Sequence, residues 1–156
     1  MNRFRFLRFA AIVTLLAGAV ACGNSDTTTG NGALGRVSVN APDSVTSGQA
    51  FDVEIDALNI GVQGIHNGAV AVTFPAPLVV NSVDASGGTQ ATFAGGTVTW
   101  TLNTLDSNSQ STLHVNVTGT LAAGAAPMTL TVQASLTADG IRAGDAVATD
   151  TFQLMP

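Results

Sequence analysis

The chain has 156 residues, of which 46% are hydrophobic and only 10% charged, and its formal net charge is −5. All ten acidic residues lie beyond residue 21, where two arginines (Arg36 and Arg142) and no lysine oppose them, leaving a net charge of −8. Phosphate binding is carried by Lys and Arg, so this balance excludes DNA and RNA as partners, and the lone cysteine, Cys22, excludes an intramolecular disulfide.

In chain order, Arg3, Arg5 and Arg8 precede an apolar run from Phe9 to Ala21, interrupted only by Thr14 and Gly18. That is the n-region and h-region of an export signal. The run is too short to cross a bilayer core of roughly 30 Å as a helix, which takes about 20 residues. It ends in Ala19-Val20-Ala21-Cys22, which resembles the lipobox of bacterial lipoproteins. The resemblance implies cleavage between Ala21 and Cys22, a diacylglycerol on the Cys22 thiol and an acyl chain on the new α-amine. It implies no other cofactor. Ala19 stands where that family most often has Leu. The alternative reading is an ordinary secretory signal with a stray cysteine. In enterobacterial lipoproteins Asp directly after the cysteine retains the protein at the inner membrane, so Gly23 favours the outer membrane in a diderm cell.

Residues 1–21 are thus expected to be a signal peptide, 22–33 a lipidated cysteine with a flexible linker, and 34–156 one folded domain. Gly23 to Ala33 is eleven residues of Gly, Asn, Ser, Asp, Thr and Ala with no apolar periodicity, a tether with a root-mean-square reach of about 18 Å. Gly30-Asn31-Gly32-Ala33-Leu34-Gly35 matches G-x-G-x-x-G, but the dinucleotide fingerprint needs those glycines between a strand and a helix. Here they precede a strand, and the linker reading holds.

From Leu34 onward the pattern is all-β, with short alternations divided by Gly, Pro, Asn, Asp and Ser. Val37 and Val39 alternate with polar neighbours, and Phe51, Val53, Ile55 and Ala57 alternate with Asp52, Glu54 and Asp56. Asn67-Gly68 is a tight-turn signal, placing His66 beside a turn, and a strand over Ala69–Phe74 ends at Pro75 and Pro77. Leu78 to Val83 follows. Thr89–Phe93 and Thr97–Leu102 flank Gly95-Gly96 as a hairpin, with Val98, Trp100 and Leu102 on one face. Leu113, Val115 and Val117, then Leu130, Val132, Ala134 and Leu136, repeat the alternation, and Ala146–Leu154 closes the chain. Leu121–Ala126 is too short and Gly-broken to hold a helix. The expected fold is an Ig-like antiparallel β-sandwich of about 7–9 strands. Trp100 is expected at the centre of its core, with Phe51, Phe74, Phe93 and Phe152 around it.

Three stretches carry a resemblance: Pro75-Ala76-Pro77-Leu78 through Ser82-Val83, then Gly96-Thr97-Val98-Thr99-Trp100-Thr101-Leu102 with Leu105, then Ser111-Thr112-Leu113-His114-Val115-Asn116-Val117. Together with Val45-Thr46-Ser47-Gly48-Gln49-Ala50-Phe51 they resemble the immunoglobulin-like "conserved repeat" modules of bacterial surface proteins, over roughly Arg36 to Phe152. Asp106-Ser107-Asn108-Ser109 departs from the Pro-Gly usual there, and the module is single where the family runs in tandem. Ala71-Val72-Thr73-Phe74 and Leu78 to Val83 also resemble a cohesin-like sandwich. Both resemblances imply a non-catalytic cell-envelope module, and neither carries over a catalytic residue.

Candidate chemistry is sparse. Asp52, Glu54 and Asp56 line one strand face, but carboxylates two residues apart on a strand are spaced about 6.6–6.8 Å along a line, whereas calcium gathers six to eight oxygens around one point. A solvated face is the simpler reading. Asp106-Ser107-Asn108-Ser109-Gln110 is similar to the start of a calcium loop, yet Ser111 stands at the sixth position and Val117 at the twelfth. Asp139-Gly140 with Asp145 forms a second acidic loop. Asp106, Asn108, Asp139 and Asp145 are therefore weak metal candidates, with turn formation as the alternative. His66 and His114 are 48 residues apart with no third ligand in a zinc pattern, and no G-x-S-x-G elbow is present. No catalytic residue is assigned, and an enzyme is not expected.

The sequence thus points to a lipid-anchored envelope protein with a structural or interaction module, attached to the membrane through its lipid. A protein partner would be met through an edge strand or loops. The strands carry little charge, and Lys, a common edge guard, is missing. Arg36–Ala41 and Ala146–Leu154, as terminal strands, are the expected edges. The alternative is a small-ligand or carbohydrate-binding lipoprotein of an uptake or sensing system, which an exposed Trp100 would favour and a buried one disfavour.

Overall fold

The computed structural model describes residues 33–87, 89–139, 141 and 146–156. Cys22, the Ala21–Cys22 bond, the tether, Gly30 to Gly32, Gly140 and Asp145 lie outside the described residues.

Ten strands make two sheets. One sheet has four strands in the order β1 (Gly35–Asn40), β3 (Ala50–Asn59), β8 (Gln110–Gly119), β5 (Leu78–Ala85), all antiparallel. The other has six: β2 (Ser44–Thr46), β10 (Val147–Met155), β9 (Met128–Thr137), β4 (Ile65–Thr73), β7 (Thr97–Leu105), β6 (Gln90–Ala94). β2 pairs with β10 in parallel over three residues; every other pair is antiparallel. No helix long and apolar enough to cross a membrane is present among the described residues.

The nine strands expected from the alternation are all there, and β2 is the tenth. Its three residues carry one buried apolar side chain, Val45, too little to show a period. β1 and β2 bracket Pro42, where the chain leaves one sheet and joins the other: Val37 packs from the first, Val45 from the second. A proline cannot donate to a ladder, so the break falls there.

The period-2 pattern does the folding. Val53, Ile55 and Ala57 on β3 and Leu113, Val115 and Val117 on β8 are all fully buried, and they meet Val70, Val72, Val98, Trp100, Leu102, Val132 and Ala134 from the other sheet. The rings of Phe51 and Phe152 meet edge-on across the two sheets, centroids 5.2 Å apart at 68°, a favoured aromatic geometry. Trp100 has no exposed surface, and its indole N–H donates to Thr89 Oγ1.

Two local readings are corrected. Asn67-Gly68 is not a turn. Both residues lie inside β4, where Asn67 takes φ 51° and shifts the inward-facing series from Ile65 to Gly68 and Val70. His66 is therefore a strand residue. Gly68 packs closely there: a Cβ would stand 3.2 Å from the Ile65 and Leu102 side chains, which would have to give by a few tenths of an ångström. Phe93 is not a core residue: it is 45% exposed on β6, the outer strand of its sheet. The Gly95-Gly96 hairpin forms as expected, with both glycines at positive φ, as a two-residue type I′ connection demands.

Candidate functional site

Asp52, Glu54 and Asp56 lie on the outer face of the four-stranded sheet, and neighbours on β8 hydrogen-bond Asp52 and Asp56. Asn116 Nδ2 donates to Asp52 Oδ1 at 2.7 Å; Thr112 Oγ1 and Gln110 Nε2 donate to Asp56 Oδ1 at 2.7 and 2.8 Å. His114 stands directly across from Glu54 on one side and Asp84 on the other, with His114 Nδ1 3.9 Å from Glu54 Oε2. Both side chains of that pair are about half exposed, and an ion pair so exposed is worth little. Asn40, Ala41, Pro42, Asp52, Glu54 and His114 line a shallow depression of about 320 Å³ on this face. Its polar lining is Asn40, two carboxylates and one imidazole.

Asp106 and Asn108 form the turn between β7 and β8. Asp106 accepts from the Ser109 amide through its carbonyl at 3.2 Å, Asn108 takes φ 55°, and Asn108 Nδ2 donates to Ser107 Oγ. Asp139 accepts from Asn67 Nδ2 at 2.7 Å in the β9–β10 connection. Both loops sit at the end of the sandwich where β3 finishes. Among the described residues no three His, Cys, Asp or Glu side chains converge on one point.

At that same end lies an arrangement that alternation alone did not single out. Asn59 closes the inward series of β3 at 1% exposure. Its Nδ2 donates to the carbonyls of Gln63 and Leu105 at 2.7 and 2.9 Å, and its Oδ1 accepts from the Gly61 amide at 3.0 Å. Ser107 Oγ donates to the Gly61 carbonyl at 2.7 Å. The loop from Ile60 to Gly64 is thereby fixed from beneath while Ile60 and Val62 stand 51% and 66% exposed. The signal was legible: a polar residue at the next inward position after Val53, Ile55 and Ala57.

The sheet edges are β1 and β5 in one sheet and β2 and β6 in the other. β1 is the edge that chain position suggested. β10 has β9 along one side from Val147 to Leu154, while on its other side β2 pairs only Gln153 to Met155, so the edge expected there is covered at its far end alone. β1 is itself tied to β10 by the Ala41 amide, which donates to Asp150 Oδ2 at 2.7 Å. β6 is an uncharged edge: Gln90, Ala91, Thr92, Phe93 and Ala94 carry no charge, and four of the five are exposed.

No protein-family profile matches this chain, and no curated protein matches it by sequence. Solved structures of the same fold do. The CARDB domain of a Pyrococcus furiosus protein matches with a TM-score of 0.57 at 18% identity, covering 80% of this chain and 96% of that one. The cohesin module of a Clostridium perfringens family 33 glycoside hydrolase gives 0.57 at 16% identity, covering 79% and 98%. A non-cellulosomal cohesin from Archaeoglobus fulgidus gives 0.53 at 14%, covering 78% and 91%. The chain therefore has the Ig-like, cohesin-like β-sandwich fold.

Proposed function

We propose that the protein is a lipid-anchored component of the bacterial cell envelope whose sandwich is a non-catalytic interaction module. The lipobox-like Ala19-Val20-Ala21-Cys22 supports the anchor, with Cys22 as the acylated residue, and Gly23 favours the outer membrane. The kinship in fold to cohesin modules fits an interaction role. The observation that carries it is the open, uncharged edge of β6 with Phe93 at 45% exposure. Such an edge suits a partner strand added through backbone hydrogen bonds, with an aromatic ring beside it for contact. The sugar- or small-ligand-binding reading wanted an exposed indole, and Trp100 is fully buried.

Two measurements test this. In a bacterial host the chain takes up labelled fatty acid, and Cys22→Ser abolishes the label and leaves uncleaved precursor; wild-type protein that takes up none and appears in the medium overturns the anchor. A photo-crosslinker at Thr92 captures an envelope protein in living cells. Crosslinks obtained only from Asp106 or Asp139 replace the edge with loop-mediated recognition.

A further inference from the structure

The end of the sandwich where the described chain begins is built unlike the other. The Ile60 amide donates to the Leu34 carbonyl at 2.9 Å, extending the β1–β3 ladder by one pair beyond Gly35 and Asn59. Leu34 and Ile60 therefore stand side by side on the outer face, 47% and 51% exposed. One step in, Arg36 and Leu58 are the next pair on that face. Arg36 is the only Lys or Arg among the described residues. Val62, 66% exposed, projects from the adjoining loop. That loop is held by the three hydrogen bonds of buried Asn59 and by Ser107. Exposed apolar side chains on a loop fixed from beneath are a surface made for contact, because the loop cannot fold over to hide them.

The chain itself says which contact. Cys22 precedes Ala33 by eleven residues, which span at most about 36–40 Å when fully extended. A lipid on Cys22 thus holds this end of the domain close to the bilayer. The opposite end, with the β6–β7 hairpin and the 120–127 connection, stands a ten-residue strand further away, about 33 Å.

Resting on the anchoring proposed above, we infer that Leu34, Ile60 and Val62 seat the domain on the lipid surface. The three apolar side chains enter the headgroup boundary and Arg36 lies at the level of the phosphates. Asp106 and Asp139 share this end, so apolar insertion, and not net charge, makes the contact, and added salt leaves it in place. The domain then stands upright, with the β6–β7 hairpin turned away from the membrane.

The test uses the full-length acylated protein in vesicles of phosphatidylethanolamine and phosphatidylglycerol. Acylation blocks the native thiol, so a single environment-sensitive dye is placed through Val62→Cys, through Ile60→Cys as a second position, or through Ala123→Cys at the far end. On vesicles the dye at residues 62 and 60 shifts to the blue and is quenched by brominated lipid, while the dye at 123 does neither. Protein that floats with the vesicles but shows no difference between the two ends overturns the seating and leaves the anchor standing. Protein that does not float and carries no fatty acid overturns the anchor, and the seating falls with it. A blue shift at residue 62 that grows with protein concentration in the absence of lipid assigns the patch to a second copy of the chain and also overturns it.

Discussion

The indole N–H of Trp100 donates to Thr89 Oγ1 at 2.8 Å, and the same hydroxyl donates to the Ser86 carbonyl at 2.7 Å. A fully buried indole needs a partner for its one donor, and the connection between β5 and β6 supplies it. The core and that connection are therefore one unit. Trp100→Ala is expected to cost about 3–5 kcal/mol in denaturant unfolding. Thr89→Val, which leaves the donor unpaired, is expected to cost about 1–3 kcal/mol. The native fluorescence should be blue-shifted and insensitive to iodide. A Thr89→Val variant as stable as the wild type would show that the hydroxyl is dispensable to the indole.

Asn59 works in the same way at the membrane-facing end proposed above. Asn59→Leu keeps the heavy-atom count and branching of the side chain but abandons the Gln63 and Leu105 carbonyls and the Gly61 amide. A loss of about 2–4 kcal/mol is expected, since each buried group left without a partner costs about 1–3 kcal/mol and the loop can relax toward water. Hydrogen exchange should rise at the Gly61 amide, which Asn59 holds directly, before it rises in β3. Unchanged exchange there would mean that Ser107 alone holds the loop.

Most of the fold could be read from alternation, because one face of each sheet is buried and the period is 2. Val53-Ile55-Ala57 and Val98-Trp100-Leu102 show this directly. Alternation cannot say which strand ends a sheet. That depends on where the chain returns: β2 joins β10 only at Gln153 to Met155 and pairs no more of that side. Phe93 alternates like a core residue, yet it stands near the end of β6, the outer strand of its sheet, and is left 45% exposed. Asn67-Gly68 has the composition of a hairpin turn, but flanking strand residues on both sides keep pairing with β7 and convert it into an irregularity within β4. The candidate acidic residues were legible as a face and as turns. Asn59 was overlooked because polarity at an inward position reads as the end of a strand.

The two glycines of the β6–β7 turn should respond differently to alanine. Gly95 has φ 57° and nothing near its absent Cβ, whereas Gly96 has φ 79° and a Cβ there would stand 2.9 Å from the Phe74 carbonyl oxygen. Left-handed backbone costs an alanine about 1–2 kcal/mol. Gly95→Ala should lose no more than that. Gly96→Ala should lose more, because the obstacle is backbone, tied to this turn by the bond that the Phe74 amide donates to the Gly96 carbonyl at 2.8 Å. Equal melting temperatures for the two variants would show that Phe74 gives way freely.

Proline substitutions separate the two strands that chain position marked as edges. In an antiparallel pair, N–H groups alternate between pointing into the ladder and away from it. The bond from the Ile60 amide to the Leu34 carbonyl sets the phase for β1 and, with Val39 opposite Ile55, turns the Val39 N–H away from β3. Val39→Pro removes a donor the sheet does not use, so it should leave unfolding within about 1 kcal/mol of the wild type, as proline on an edge does. The bond from the Leu136 amide to the Ala146 carbonyl sets the phase for β10, and with Ala148 opposite Ala134 it turns the Ala148 N–H into the ladder. Ala148→Pro leaves the Ala134 carbonyl on β9 without its partner and should cost at least about 1–3 kcal/mol. Were the two variants equally stable, the Ala148 amide would be adding nothing through its ladder bond to β9. Were Val39→Pro the more damaging, the Val39 amide would be bound on its open side, where β10 and Asp150 lie, and β1 would no longer be free to accept a partner strand. β6 would then remain the edge through which the module pairs.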